Sequence, residues 1–184
     1  MKKILLAGLA ISTIAIAGCE TTSSRPYTPS TSNIVAMKDA LGSSGKTVGI
    51  SGFTIAEGVD EELTCRAMGA LDVGSGKSGV EFIQEALKTE MFQAGIYGSN
   101  SSNQITGTLT QFEADSWGTG KWELAMKLSS DKHPEGYEVS TVYEFKSSYS
   151  AVRACQNVVD AFTPSVQQLI GEAIAHPDFT KLTG

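Results

Sequence analysis

Alternating hydrophobic and polar positions predict three consecutive β-strands in the second half of the chain. In residues 122–128 an apolar side chain occupies every second position, which is typical of a strand with one buried face. The same period of two runs through residues 105–112 and 137–145. Turn-forming Gly, Asp and Pro residues separate the three segments, so an antiparallel meander is the simplest connection. Earlier in the chain, strands are predicted over residues 47–55 and 63–68.

Helical periodicity follows the predicted second strand. Ser78 and Glu81 have the spacing of a capping box, and Gly95 stands where a helix often ends in the left-handed conformation. The apolar positions between them recur every three or four residues. This pattern predicts a helix from Ser78 to Gly95, and a weaker one predicts a short helix over residues 33–41.

A second long helical pattern covers residues 151–175 and is ended by His176-Pro177. Its apolar spacing keeps phase across Pro164. Proline removes one helical hydrogen bond but is well tolerated in a first turn, so two alternatives stay open. Either one helix is kinked at Pro164, or two helices abut there with Thr163 as the new N-cap.

The order of elements is strand, strand, helix, three strands and helix. Strands with one apolar face need a cover on that face only, and two amphipathic helices supply it. We therefore predict an α+β fold. Its expected form is a two-layer α/β sandwich in which two helices cover one face of a mostly antiparallel sheet of about five strands.

The N-terminus has the layout of a secretory signal: Lys2 and Lys3, then an apolar run over residues 4–17. The residues Ile16-Ala17-Gly18-Cys19 resemble the lipobox of bacterial lipoproteins. This resemblance implies a diacylglycerol on the Cys19 thiol, cleavage before Cys19 and acylation of the new N-terminus. Glu20, which is not Asp, favours the outer membrane. The alternative is an ordinary signal or an uncleaved anchor that happens to contain a cysteine.

Three regions follow from these patterns. Residues 1–18 are predicted to be the signal peptide, and residues 19–45 the lipidated cysteine with a flexible tether rich in Ser, Thr and Pro. Residues 46–184 are predicted to form one periplasmic domain. Without residues 1–18, the chain has 12 basic and 20 acidic residues, which gives a formal charge of −8. Such a chain is a poor partner for nucleic acid.

The cysteines change the picture further. With Cys19 assigned to lipid, Cys65 and Cys155 remain as a pair in an oxidising compartment, which favours a disulfide. In the chain-entropy model this link closes a loop of about 90 residues and contributes roughly 4 to 5 kcal/mol. Two buried thiols or a metal site are the alternatives. His133 and His176 lack paired metal-ligand spacing, so no metal or cofactor is predicted.

Motifs for catalysis are weak. Residues 74–78 resemble the end of a phosphate-binding loop, but the glycine required five residues before Gly76 is replaced by Leu71. No serine stands in a nucleophile elbow between a strand and a helix, and the helical carboxylates have the spacing of a solvated surface. A hydrolase is therefore the least favoured class of function, and we predict that the protein is not an enzyme.

Trp117 is the candidate binding residue. It lies in a loop rich in Gly, Ser and Asp, whereas Trp122 begins a strand and is predicted to face the core. An exposed Trp can anchor a protein partner or stack on a sugar ring. The alternative is that Trp117 folds back over the edge of the core.

The mature chain resembles an uncharacterised family of small Gram-negative envelope lipoproteins, with a lipobox, a polar tether and one helix-on-sheet domain. The resemblance rests on residues 65–69, the helix from Ser78 to Gly95 and the late helix with Cys155. Similar domains occur in accessory lipoproteins of outer-membrane assembly, transport and cell-wall synthase activation. The resemblance implies a lipid-anchored protein on the periplasmic face of the outer membrane. We expect its domain to bind another envelope component, first a protein, or alternatively a glycan or lipid.

Overall fold

The computed structural model describes residues 24–41, 45–66 and 68–184. The regular elements, in chain order, are helix α1 (Thr31–Leu41), strand β1 (Gly49–Ile55), helix α2 (Gly79–Ala94), strands β2 (Gln104–Asp115), β3 (Gly120–Ser130) and β4 (His133–Phe145), and helices α3 (Ala151–Ala175) and α4 (Phe179–Thr183). The protein is thus α+β, with one open four-stranded sheet and several helices. The predicted signal peptide and Cys19 lie outside the described residues.

The sheet has the strand order β1-β2-β3-β4. Strands β2, β3 and β4 form the predicted antiparallel meander. Strand β1 pairs with β2 in parallel. A parallel pair needs a long crossover connection, and helix α2 lies in the chain segment that provides it.

The strand predicted over residues 63–68 is wrong in the part that the structure describes. Thr64 forms only an isolated bridge with Ala70, and the Cys65 amide donates to the Gly69 carbonyl at 3.2 Å. Arg66 has a φ of 51°, a left-handed conformation that no strand continues through. The chain turns back on itself here, so the sheet has four strands instead of about five.

The core lies between the apolar face of the sheet and the helices. Helix α2 packs against β1 and β2, α3 packs against β3 and β4, and α1 packs against α2 and α3. Three aromatic rings meet at the centre of this core. The Trp122 ring centroid is 4.8 Å from that of Phe162 and 5.3 Å from that of Phe112. All three side chains are buried, which confirms the predicted core position of Trp122.

The ends of helix α2 confirm the sequence prediction. The Glu81 amide donates to Ser78 Oγ, and the Ser78 amide donates to Glu81 Oε2, so both halves of the capping box are present. Gly95 adopts φ 77° at the C-terminal end.

Helix α3 continues through Pro164 as one element, so the alternative with two separate helices does not apply. The unpredicted helix α4 follows it and buries Phe179 and Leu182.

The short helix predicted over residues 33–41 is present as α1, whereas the description as a flexible tether does not fit residues 24–30, which contact the domain. The Tyr27 hydroxyl donates to Glu90 Oε1 at 2.5 Å, and Met37 is fully buried in the core. Residues 24–41 are rich in polar side chains, but a few of their side chains are apolar and pack against α2 and α3. These side chains, together with the hydrogen bonds to α2, fix the segment on the domain.

Candidate binding groove

A groove of about 310 Å³ opens at the end of the sheet where β2 leads into β3 and β4 leads into α3. We call it the Trp117 groove. Its lining residues are Arg66, Trp117, Gly118, Ser147, Ser148 and Tyr149. They come from three loops that are distant in the chain, so only the fold brings them together.

The Arg66 guanidinium joins the three loops of the groove. Its Nη2 donates to the Ser116 carbonyl at 2.7 Å and to the Ser148 carbonyl at 3.0 Å. Its Nε donates to Ser116 Oγ at 3.1 Å, and its Nη1 donates to the Tyr149 carbonyl at 3.4 Å. The rigid fork of donors in an Arg side chain suits such multiple contacts, and the groove floor is therefore held in one arrangement.

The Cys65–Cys155 disulfide anchors Arg66 to the core. The bond is present as predicted, with the two Cα atoms 5.7 Å apart. Both cysteines are buried. Because Arg66 directly follows Cys65, the disulfide fixes the backbone of Arg66 relative to α3.

Trp117 forms one wall of the groove. Its backbone amide donates to Asp115 Oδ1 at 2.8 Å, which stabilises the tight turn between β2 and β3. The Arg66 guanidinium carbon lies 4.2 Å from the centroid of the Trp117 ring, a cation–π contact. The Trp117 side chain is nevertheless 66% exposed. The alternative in which it folds over the core edge is therefore wrong.

Tyr149 also lines the groove and is fully exposed. The loop that carries it is held from below, because Ser147 Oγ donates to the Ser116 carbonyl and Asn157 Nδ2 donates to the Lys146 carbonyl at 2.7 Å. These hydrogen bonds, together with that from Arg66 to the Tyr149 carbonyl, hold the backbone of the loop in place.

The electrostatic environment of Arg66 is unusual for a half-buried cation. Within residues 24–41, 45–66 and 68–184, the structure gives the guanidinium no carboxylate partner; its hydrogen bonds go to carbonyl and hydroxyl oxygens. The groove therefore combines aromatic walls with a positively charged floor. Such a surface can bind an apolar or planar group on the aromatic walls, with the positive charge of Arg66 beside it.

Sequence reasoning identified Trp117 but missed Arg66 and Tyr149. Arg66 lies in a segment interpreted as a strand, and nothing in an Arg side chain signals a left-handed backbone. Tyr149 follows two serines in a short connection and has no periodic neighbours. Only the juxtaposition of three loops gives either residue a role.

A second cluster forms at the far end of β4. Sequence spacing does not pair the two histidines, yet His133 Nε2 lies 3.7 Å from Asp178 Oδ2, and His176 Nδ1 accepts from the Asp178 amide at 3.2 Å. A hydrogen bond from Lys181 Nζ at 2.6 Å lowers the pKa of Asp178, and the nearby histidines act in the same direction. His176 also stacks on Tyr137. Among the described residues, no group of three such side chains could hold a metal ion.

The segment 74–78, which resembles a phosphate-binding loop, already has partners. Its Gly76 amide donates to the Asp72 carboxylate at 3.0 Å. Lys77 forms an ion pair with Glu85, and Ser78 caps α2. The donors that would face a phosphate are thus engaged by protein carboxylates.

Glu90 is a fully buried carboxylate on α2. Its Oε1 accepts hydrogen bonds from the Tyr27 hydroxyl at 2.5 Å and from the Ser30 amide at 2.7 Å. Burial raises the pKa of Glu90, although these hydrogen bonds act against the shift. Burial, helped by Glu90, also raises the pKa of Tyr27. Glu90 therefore joins the N-terminal segment to the core at a buried polar site.

Comparisons with known proteins find only distant structural similarity. No protein-family model matches the chain, and no curated protein matches it. A crystal structure of a Xanthomonas campestris protein of family DUF330 is similar at 13% identity and a TM-score of 0.48, covering 71% of this chain and 84% of that one. A second structure, of an uncharacterized protein, is similar at 9% identity and a TM-score of 0.45, covering 71% and 91%.

Neither likeness assigns a family or an activity, and the resemblance to envelope lipoproteins stays a prediction. No helix in the described part of the chain is long and apolar enough to cross a membrane.

Proposed function

We propose that the protein is an outer-membrane lipoprotein, anchored through Cys19, whose periplasmic domain acts by binding another envelope component and not by catalysis. The Trp117 groove is the proposed contact surface, and a protein is the first candidate partner. The observation that carries the proposal is the exposed Trp117 ring, held rigidly over Arg66. Trp and Arg are the residues most enriched among interface hot spots, and a fixed ring loses little entropy on binding.

We also propose that the domain has the two-layer arrangement predicted from the sequence, with helices on one face of the sheet. The apolar residues of β3 are buried while Lys127 between them is exposed, which supports helices over one face of the sheet only. Binding residues would then concentrate in the loops at the sheet ends, where the scaffold holds them in place.

In-cell photo-crosslinking tests the contact surface. A photoreactive amino acid at Tyr149 should capture an envelope component, and the same amino acid at Phe92 serves as a matched control. Phe92 is an aromatic residue on α2, 72% exposed and outside the groove. Trp117→Ala should reduce capture at Tyr149. Equal capture at both positions, or capture that survives Trp117→Ala, would contradict the proposal.

The anchor has its own test. Cys19→Ser should leave an unprocessed precursor and abolish labelling by a fatty-acid probe, because the thiol is the proposed site of lipid attachment. Labelling that persists in the Cys19→Ser protein would exclude this site.

A glycan is the second candidate ligand. The specific observation in its favour is that Trp117 and Tyr149 line one groove together with the hydroxyl-bearing Ser147 and Ser148. Aromatic faces beside hydrogen-bonding groups suit a sugar ring. Binding of soluble cell-wall fragments that Trp117→Ala abolishes would favour this candidate over a protein.

A further inference from the structure

The segment that follows the proposed lipid anchor has a fixed path on the domain. We call residues 24–41 the N-terminal strap. The strap is held at Glu90 by two hydrogen bonds, and its helix α1 contributes buried Met37 to the core. The point at which the chain leaves the domain toward Cys19 is therefore fixed relative to the fold.

The strap runs alongside helix α3. Asn33 Nδ2 donates to the Gln167 carbonyl at 2.8 Å, and Gln167 Nε2 donates to the Thr28 carbonyl at 2.6 Å. Farther toward its N-terminus, Arg25 Nε lies 3.6 Å from Asp160 Oδ1. The earlier residues of the strap thus contact positions of α3 that lie nearer to its N-terminal end.

That end of α3 adjoins the Trp117 groove. Helix α3 begins at Ala151, which lies about 14 Å beyond Asp160 at 1.5 Å per residue. Ser24 Oγ donates to Asp72 Oδ2 at 3.2 Å, and Asp72 lies in the connection between β1 and α2 that also carries Arg66. The exit of the strap and the groove therefore belong to the same end of the molecule.

Little chain is available to move the anchor away from this end. Cys19 precedes Ser24 by five residues, which span at most about 17 Å when fully extended. A lipid on Cys19 would hold the membrane surface within that distance of Ser24. With such an anchor the domain would stay close to the membrane, with the strap exit nearest to its surface.

The same end exposes three large apolar or aromatic side chains: Trp117, Tyr149 and Val152. We infer that these three residues form a membrane-contacting rim, which rests in the headgroup region of the leaflet that carries the Cys19 lipid. Trp and Tyr are favoured at this depth, because an apolar ring and a polar tip match the two sides of the interface.

The acidic chain gives no general attraction to anionic lipid, so the contact depends on the aromatic rim and on the anchor. Tethering makes the contact intramolecular, and even a weak interaction of the rim is then well populated. The inference rests on the proposed lipid anchor. It deepens the proposed binding function, since any further partner of the groove must lie in or on that membrane.

Quenching by brominated lipid tests the rim. The mature lipidated protein, which begins at Cys19, is reconstituted into vesicles of phosphatidylethanolamine and phosphatidylglycerol, with or without bromine on the acyl chains. Trp117 and Trp122 are the only tryptophans, and Trp122 is fully buried. We expect bromine to quench the wild-type emission and to leave that of Trp117→Phe, in which only Trp122 emits, unchanged. Equal emission of the wild type in both vesicles would overturn the inference.

A longer connection sharpens the test. Twelve Gly and Ser residues inserted between Cys19 and Ser24 should reduce the quenching, because the effective concentration of the rim at the surface falls as the connection lengthens. Undiminished quenching in this variant would show that the strap does not orient the domain.

The inference and the proposed function fail in different ways. If Cys19 is labelled by fatty acid and Tyr149 captures a water-soluble periplasmic protein without bromine quenching, the rim is wrong and the binding function stands. If Cys19 is not labelled, the proposed anchor and the inference fall together.

Discussion

Trp117 and Trp122 lie five residues apart, yet their environments are opposite. Trp122 is fully buried, its ring packs between Phe112 and Phe162, and its Nε1 donates to the Val158 carbonyl at 2.9 Å. Trp117 is 66% exposed, and its ring contacts the Arg66 guanidinium. The first ring joins the sheet to α3, whereas the second is displayed to solvent by a loop.

This difference separates what the fold needs from what a partner could use. Burial of a large aromatic ring contributes strongly to stability, and an exposed ring contributes little. A large exposed aromatic ring that the fold holds in place without burying it is a candidate for recognition. Five experiments test how far the separation holds, in order of the expected effect on stability.

The largest effect should come from the disulfide, which connects the groove to the core. Replacing both Cys65 and Cys155 by Ala should lower the free energy of unfolding by roughly 4 to 5 kcal/mol in the chain-entropy model. The reason is that the unfolded chain regains the freedom of a loop of 90 residues. Urea melts of the variant, with oxidised and reduced wild-type protein as controls, measure the loss. A variant as stable as the oxidised wild type would assign the disulfide no role in stability.

Trp122→Ala should cost about 3 to 5 kcal/mol, as expected for truncation of a large ring in a core. Urea melts give the value. Because the Ala variant could fail to fold, Trp122→Phe provides a milder change that keeps an aromatic ring and removes the hydrogen bond to Val158. The Phe variant should lose less stability than the Ala variant. A loss of unfolding free energy below about 1 kcal/mol in Trp122→Ala, as expected for an exposed residue, would contradict the core assignment.

Glu90→Ala should cost about 1 to 3 kcal/mol, because it leaves the Tyr27 hydroxyl and the Ser30 amide without their acceptor. It should also expose the strap to limited proteolysis. Glu172→Ala, which removes an exposed carboxylate on α3, is the matched control.

The pH dependence of stability examines the same site. The folded state raises the pKa of Glu90 above its ordinary value of 4.5. The folded protein thus binds this proton more tightly than the unfolded chain. The contribution of Glu90 to the free energy of unfolding is therefore fully present below about pH 4.5 and is lost as the pH rises through the raised pKa. Glu90→Gln should lack this fall, whereas Glu172→Gln should retain it. Identical pH profiles for wild type and Glu90→Gln would refute the assignment.

The smallest effect should come from Trp117→Ala, within about 1 kcal/mol, since mainly one exposed cation–π contact is lost. Urea melts beside those of Trp122→Ala make the comparison direct. If both variants lose the same stability, Trp117 belongs to the core, and the groove loses its main candidate for recognition.

The chain's local patterns predicted most of the regular elements. Period-two alternation located β2, β3 and β4, because half-buried strands must alternate whatever surrounds them. The capping box at Ser78 and the glycine at Gly95 located α2, because helix ends need partners for their free amides and carbonyls. These signals depend only on neighbours in the chain.

The errors arose where long-range contacts override local preference. Residues 63–68 have strand-like composition, but the disulfide at Cys65 and the turn at Arg66 draw them away from the sheet. Residues 24–30 have the composition of a tether, but Glu90, about 60 positions away, supplies their hydrogen-bond acceptor. The contact with Glu90 and the turn at Arg66 have no signature in the local sequence.

By itself, then, the sequence favoured the pairing of the cysteines, located most of the regular elements, and placed Trp122 in the core and Trp117 in a loop. The tertiary structure alone decided that Arg66 would bridge three loops beneath Trp117 and Tyr149, and that the strap would exit at the same end. The physical reason is that periodicity and capping act over one or two turns of chain. A binding surface is built from segments whose proximity is fixed only when the whole core has packed.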